Sequence, residues 1–192
     1  MARLKAIPEY APLFEAAFPG QGISPETIAR AIATYERTVV SGRAPFDRWI
    51  EHDEKAISES AKRGFALFNG KAQCSNCHSG WNFTDDSFHD IGLPDADIGR
   101  GKFMGNVVKM QHAFKTPGLR EIARRGPYMH DGSILTLEAV IQHYDQGGLD
   151  RASRSDLMKP LGLSKQEKAD LVAFLMTLTS DMDPTTVPVL PR

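Results

Sequence analysis

Hydrophobic residues recur at helical spacing in several separate stretches of the chain, and no stretch shows the sustained alternation of a half-buried strand. The first stretch places four apolar side chains on one helix face: Ile28, Ile32, Tyr35 and Val39. Ser24 followed by Pro25 is typical of a helix start, and we expect this helix to end near residues 41–42. The pattern predicts an all-α fold.

A second helix is predicted to begin after Ser58 and to bring Ala61, Phe65 and Phe68 together. It should end at residues 69–70, where the glycine suits a left-handed cap. Residues 82–114 contain many glycines and polar residues and show little periodicity. We therefore expect a long irregular loop there, of the kind that wraps a cofactor.

The last third of the chain predicts two more helices and a tail. Thr136 can cap the first, which ends at glycines 147–148 and presents one apolar side: Leu137, Val140, Ile141 and Tyr144. Ser164 and Glu167 form a capping box for the second, whose apolar stripe comprises Leu171, Val172, Leu175 and Leu178. Three prolines in residues 184–192 predict an extended tail.

Charge and composition exclude several classes of function. The 192 residues include 23 basic and 24 acidic side chains, which give a formal net charge of -1 with no basic field for nucleic acid or a membrane surface. No apolar run approaches the roughly 20 residues of a membrane span. Prolines and acids at residues 8–15 interrupt any secretion signal, so we expect an upstream segment to be missing from this chain.

Both cysteines of the chain lie in one Cys-x-x-Cys-His motif, formed by Cys74, Cys77 and His78. On a helical turn, residues three and four apart share a face, so two thiols can meet the haem vinyl groups while the imidazole meets the iron. A disulfide, a thioredoxin-like pair and a zinc site with two histidines are the alternatives, but the first two leave His78 unused. The motif predicts one covalent haem c in an oxidising, periplasmic compartment.

Several further motifs, taken together with this one, resemble the C-terminal haem half of the di-haem cytochrome c peroxidase and MauG family. They occur in the family's order and spacing: IPEY at 7–10, AFPG at 17–20, APFDR at 44–48, GFALF at 64–68, FKTPGLR at 114–120, PYMHDGS at 127–133 and TLE at 136–138. The resemblance implies a cytochrome c-like helical haem domain with long loops at residues 55–183. Residues 1–54 would be a helical segment that packs, in the family, against an N-terminal haem domain absent here.

The resemblance also implies a function. The family reduces hydrogen peroxide at a second haem, and a redox protein such as a small cytochrome or cupredoxin donates the electrons. The peroxide-site residues would lie in the absent half, so no catalytic residue is assigned in this chain. A calcium ion is implied as well, held partly by the carbonyls of Arg125 and Pro127. The alternative is a single-haem c-type cytochrome that acts as an electron carrier.

The second axial ligand implied by the resemblance is Tyr144, at a position that is methionine in the peroxidases and tyrosine in MauG-like members. A phenolate is a hard, anionic donor that favours ferric iron, whereas a thioether raises the potential. Met129 is the main alternative ligand, and Met104 and Met110 are further ones. Tyr144 could instead be a core residue of its helix face.

The resemblance places Arg120 and His130 close to the haem, where a guanidinium or an imidazole could bind a propionate. The other histidines considered are expected to be structural or solvent-facing: His89, His112 and His143. Trp81 is expected either to pack on the porphyrin edge or to make ordinary aromatic contacts, and Trp49 belongs to a packing corner.

Overall fold

The computed structural model describes residues 1–182 and 189–191, which form two units. One contains residues 1–42 with the described part of the chain end, and the other is Arg43–Asp181. The predicted domain boundary at residues 54–55 falls inside the second unit and stays a prediction. Most of the predicted extended tail at residues 184–192 lies outside the described residues.

The first unit contains three helices: α1 (Ala2–Lys5), α2 (Tyr10–Ala17) and α3 (Pro25–Glu36). Ser24 caps α3 as predicted, because its hydroxyl accepts a hydrogen bond from the amide of Thr27. The predicted end near residues 41–42 is wrong, since the Thr38 hydroxyl and amide both bond to the Tyr35 carbonyl. The β-branched residues that follow, 38–40, favour this early stop.

The second unit contains the five remaining helices: α4 (Pro45–Ile50), α5 (Glu59–Asn69), α6 (Gly101–Met104), α7 (Leu137–Gln146) and α8 (Lys165–Met176). Ser58 caps α5 as predicted, but the left-handed cap at Gly70 is wrong, because this residue has φ -108 and ψ -110. Its amide bonds back to the carbonyls of residues 66 and 67, and the left-handed conformation falls on Gln73 instead, with φ 53.

The ends of α7 and α8 follow the prediction closely. The Thr136 hydroxyl accepts a hydrogen bond from the Ala139 amide, and Gly147 adopts the left-handed conformation with φ 81. Ser164 and Glu167 exchange hydrogen bonds in a complete capping box at the start of α8. Local sequence signals therefore fix both helices.

The irregular loop predicted for residues 82–114 is confirmed, with short elements inside it. Strand β1 (Phe88–His89) pairs antiparallel with β2 (Phe114–Lys115), which closes the loop at its two ends. A short 3-10 turn at 108–110 lies inside the loop, and two others lie outside it at 74–76 and 122–124. These additions are small, and the all-α assignment is correct.

Helices α5 and α8 form the centre of the core by crossing at Gly64. A Cβ at this position would lie 1.9 Å from the Asp170 carbonyl oxygen, so only glycine lets the two backbones approach so closely. Aromatic rings fill the space beside the crossing: Phe46, Phe65, Phe68, Phe83 and Phe174. Trp49 packs against Phe46 and Phe65, as predicted for a packing corner.

Candidate functional site

A cavity of about 340 Å³ lies inside the Arg43–Asp181 unit. Its lining is mainly apolar and includes one face of α7 and part of α8: Leu137, Val140, Ile141, Leu171 and Leu175. Cys74, Cys77 and His78 line it too, as does Tyr144. An apolar chamber with a few polar groups is the usual form of a cofactor site.

The two thiols of the motif are free, and both contribute to the cavity lining. The turn around them is closed by the amide of His78, which donates to the Cys74 carbonyl at 2.9 Å. Burial raises the pKa of Cys74 to about 12 and that of Cys77 to about 11. Both cysteines therefore line the cavity as neutral thiols.

The His78 imidazole is held in one tautomer. Its Nδ1–H donates to the Phe83 carbonyl at 2.9 Å, and the other ring nitrogen, Nε2, then carries the lone pair. Burial lowers the pKa of His78, although the Phe83 carbonyl opposes this effect. A neutral imidazole with a fixed tautomer is the form in which histidine binds haem iron.

Tyr144 brings a phenol to the same cavity. Burial, together with the nearby thiols of Cys74 and Cys77, raises the pKa of Tyr144 well above its ordinary value. Among the described residues, none hydrogen-bonds to its hydroxyl. Tyr144 is half-buried and lines the cavity, so its hydroxyl is free to bind a group placed there.

The methionine alternatives differ in their placement. Met129 lines the cavity and adopts a left-handed backbone with φ 72. Met104 and Met110 are not among the described residues that line it, and Met104 is 40% exposed. Of the three, only Met129 therefore competes with Tyr144 for an axial role.

The structure separates the two predicted propionate partners. His130 lines the cavity, stacks on Phe114 with ring centroids 3.5 Å apart, and lies 3.9 Å from an oxygen of Asp95. Arg120 is not among the lining residues, because its guanidinium donates to Asp47 at 2.8 Å and to the Trp81 carbonyl at 2.9 Å.

Two cations that the sequence did not assign to the haem, Lys115 and Arg125, also line the cavity; Arg125 was named there only for its carbonyl. The Arg125 guanidinium donates to the Gly118 carbonyl at 3.1 Å. Spatial proximity to the motif is the signal for these residues, and the sequence alone does not contain it.

The zinc alternative finds little support in the donor set. Within the described part of the chain, the group of potential ligands is Cys77, Asp85 and His89, whose ligand atoms lie within 4.8 Å of one another. His89 Nε2 and Asp85 already form a 2.8 Å hydrogen bond. This group includes only one of the two cysteines of the motif, and it does not include His78.

The remaining residues of interest are outside the cavity. His112 and His143 each bond through the ring to a backbone carbonyl, of Asp97 and Ile91 respectively, both at 2.9 Å, which confirms a structural role. The Trp81 side chain is 75% exposed and is not among the described lining residues, so it does not pack at the edge of the cavity. The helices described are all too short to cross a lipid bilayer.

Two protein families match this chain: "Di-haem cytochrome c peroxidase" over residues 1–55 and "Cytochrome c" over residues 61–179. The chain is 56% identical over 192 residues to methylamine utilization protein MauG of Methylorubrum extorquens, covering 98% of this chain and 54% of that protein. It is 31% identical to cytochrome c551 peroxidase of Nitrosomonas europaea, and this match covers 97% of this chain and 54% of that protein.

A solved structure gives the same result for the fold. The crystal structure of a MauG-like protein associated with microbial copper homeostasis matches with a TM-score of 0.80 and 34% identity, covering 94% of this chain and 61% of that one. The present chain spans about half the length of the curated relatives it matches.

Proposed function

Because this chain belongs to the di-haem cytochrome c peroxidase and MauG family, we propose that it is the electron-transferring haem half of such an oxidoreductase. Its cytochrome c domain implies haem c, and the two cysteines allow one covalent haem. When bound, haem c supplies one-electron redox chemistry. Reduction of hydrogen peroxide would be completed by the other half of the longer relatives, where the peroxide-site residues would lie.

Cys74 and Cys77 would hold the haem through thioethers, and His78 would be the proximal ligand. The cavity supports this assignment, because all three residues line it. The Phe83 carbonyl keeps the His78 tautomer correct for ligation. No other pair of cysteines exists in the chain.

Tyr144 would be the distal ligand, and the observation that carries this assignment is that Tyr144 lines the same cavity as Cys74, Cys77 and His78, with no hydrogen bond to its hydroxyl among the described residues. Without a positive charge in the cavity, burial keeps the Tyr144 phenol neutral by raising its pKa. A metal cation reverses that preference by stabilising the phenolate. A phenolate ligand from Tyr144 would favour ferric iron.

For the propionates we assign His130 and Arg125, which both line the cavity. Arg120 would contact a propionate only by sharing its guanidinium with Asp47, since these two side chains already form a 2.8 Å ion pair. Its clearer role is to hold the loop after the haem motif through the Trp81 carbonyl. A calcium ion on the carbonyls of Arg125 and Pro127 belongs to this proposal as well.

The wider setting follows from the same chemistry. A c-type haem requires covalent attachment in an oxidising compartment, so we place the protein in the periplasm. Its partner there would be an electron-donor redox protein, a small cytochrome or a cupredoxin. The near-neutral charge gives this contact no strong electrostatic steering.

The test replaces the phenol of Tyr144 by Phe, which keeps the ring and removes the oxygen. We expect the visible and electron paramagnetic resonance spectra to change from six-coordinate to five-coordinate or water-bound ferric haem. The reduction potential should rise and cyanide should bind. The control is Met129→Leu, which conserves volume and should leave the spectra unchanged.

A second candidate function is a single-haem electron carrier with His78 and Met129 as ligands. The observation in its favour is that Met129 lines the same cavity. It predicts the opposite result: spectra that change in Met129→Leu and persist in Tyr144→Phe. That outcome would overturn the MauG-like assignment of the distal ligand.

A further inference from the structure

We propose that His143 is the positioning residue for Tyr144, and that it acts by anchoring the last turn of α7 to the carbonyl of Ile91. This inference rests on the proposed ligation by Tyr144. It concerns the protein's own hydrogen bonds, which decide where the phenol stands in the cavity.

The two residues are consecutive on α7 and therefore point in directions about 100° apart. Tyr144 faces the cavity with the apolar side chains of its own helix face, whereas His143 donates from Nε2 to the Ile91 carbonyl at 2.9 Å. The two rings meet edge to face with centroids 5.7 Å apart. Ile91 itself lines the cavity. One hydrogen bond thus ties the neighbour of the phenol to another segment of the cavity wall.

The segment that accepts this bond is itself firmly held. Asp90 is 1% exposed and accepts from Arg151 at 2.7 and 2.6 Å and from the Ser153 hydroxyl at 2.7 Å. The same carboxylate accepts from the amide of Gly92 at 2.8 Å. Residues on both sides of Ile91 are therefore fixed, so its carbonyl is a stable acceptor.

The chain that leaves α7 returns to the same segment. A Cβ on Gly148 would lie 2.4 Å from the Ile91 carbonyl oxygen, and the Leu149 amide donates to the Gly92 carbonyl at 2.8 Å. The end of α7 is thus attached at its last turn and just beyond it. Tyr144 lies in this last turn, where a helix has few backbone hydrogen bonds of its own. The bond from His143 is the one side-chain bond from this turn to the 90–92 segment among the described residues.

The anchor does not depend on the charge of His143. A carbonyl only accepts, so Nε2 carries a hydrogen in the neutral ring as in the charged ring. The expected effect of losing the bond is therefore a shift in phenol position, with no new pH dependence of the haem spectrum.

The experiment compares His143→Leu, His143→Gln and Tyr144→Phe in the haem-loaded protein. His143→Leu removes the donor, and we expect the ratio of six-coordinate to five-coordinate ferric haem to fall about three- to tenfold, the equivalent of one hydrogen bond. His143→Gln restores an N–H donor and should recover most of the six-coordinate spectrum. Cyanide binding should become faster in the Leu variant and return towards the wild-type rate in the Gln variant.

The matched control is His112→Leu, which removes the same kind of ring-to-carbonyl bond outside the cavity lining. It should lower the denaturation midpoint to a similar extent and leave the haem spectrum unchanged. If Tyr144→Phe alters the spectrum while His143→Leu does not, the positioning role is wrong and the proposed ligation stands. If Tyr144→Phe has no effect, the ligation fails, and the positioning role fails with it.

Discussion

Replacing Asp90 by Asn tests how strongly a buried charge holds the cavity wall. The carboxylate is 1% exposed and accepts four hydrogen bonds, two of them from Arg151. An amide can still accept on its oxygen, but its NH2 group would face the guanidinium, which has only donors. At least one charged hydrogen bond is lost, and Arg151, whose side chain is only 18% exposed, loses the carboxylate with which it pairs.

The expected cost follows from these contacts. A hydrogen bond to a charged group contributes about 1.5–3 kcal/mol, and breaking a buried ion pair costs about 3–5 kcal/mol. We therefore expect the free energy of unfolding to fall by about 3 kcal/mol, a large part of the roughly 5–15 kcal/mol typical of a domain. Guanidinium titration of the haem-loaded protein, followed by far-UV circular dichroism, measures this loss as a lower midpoint.

The matched control is Asp170→Asn, which breaks another bidentate pair between arginine and aspartate in the same unit. Arg63 is half exposed, so Asp170→Asn should lower the free energy of unfolding by less than Asp90→Asn does. Only Asp90→Asn should also weaken the six-coordinate haem spectrum, because Asp90 fixes the residue beside Ile91. Equal midpoints for Asp90→Asn and the wild type would refute the reasoning, as would a spectral change confined to Asp170→Asn.

Four further expectations follow from the same contacts. Gly64→Ala should lower the unfolding midpoint sharply, because the methyl group of the new alanine would meet the Asp170 carbonyl. The control is Ala66→Gly at an exposed site on the same helix, which should lower the free energy of unfolding by only about 1 kcal/mol. The hydrogen bonds from Arg63, above all, lower the pKa of Asp170 in the folded protein. The ionised Asp170 therefore stabilises the fold fully above about pH 3.9, the pKa of Asp in the unfolded chain, and this stabilisation is lost as the pH falls further towards the folded-state pKa. In Asp170→Asn, the free energy of unfolding should depend less on pH in this acid range. Acid-acetone extraction should leave the haem on the protein, and release of all haem would contradict thioethers at both cysteines. Peroxide turnover by this chain alone should be slow, because His78 and Tyr144 would occupy both axial sites under the proposed ligation, and fast oxidation of a reduced cytochrome would contradict it.

The helices could be predicted because their signals are local. Ser58, Thr136 and Ser164 each cap the helix that the sequence assigns to them, and the final capping box is complete. The errors are local as well. Gly70 looked like a left-handed cap, but the chain needs that conformation three residues later, at Gln73, in order to enter the haem motif.

The sequence could predict those parts of the candidate site in which reactive side chains do the chemistry. Cys74, Cys77, His78 and Tyr144 all line one cavity, although the first three are far from Tyr144 along the chain. Arg120 shows the limit of that reasoning. Its guanidinium suits a propionate, but the sequence does not show that Asp47, 73 residues away, already accepts from it.

The groups that hold the site in place could not be predicted, because they are backbone carbonyls. His78 is oriented by the carbonyl of Phe83, and His143 donates to that of Ile91. Every residue has a carbonyl, so no pattern of side chains marks these two acceptors. Their positions depend on loop conformation, which includes a left-handed φ of 54 at Phe83, a buried residue.

Packing explains why that conformation at Phe83 is retained. Its ring contacts Phe46, Phe68 and Phe174, and the Arg120 guanidinium lies over it at 5.4 Å. A glycine would adopt the same backbone at lower cost but would lose these contacts, so the aromatic side chain stabilises a conformation that it disfavours locally. The core thus fixes the Phe83 carbonyl, and that carbonyl fixes the His78 tautomer. In this loop the packing of the α5 and α8 core and the chemistry of the site depend on the same residue.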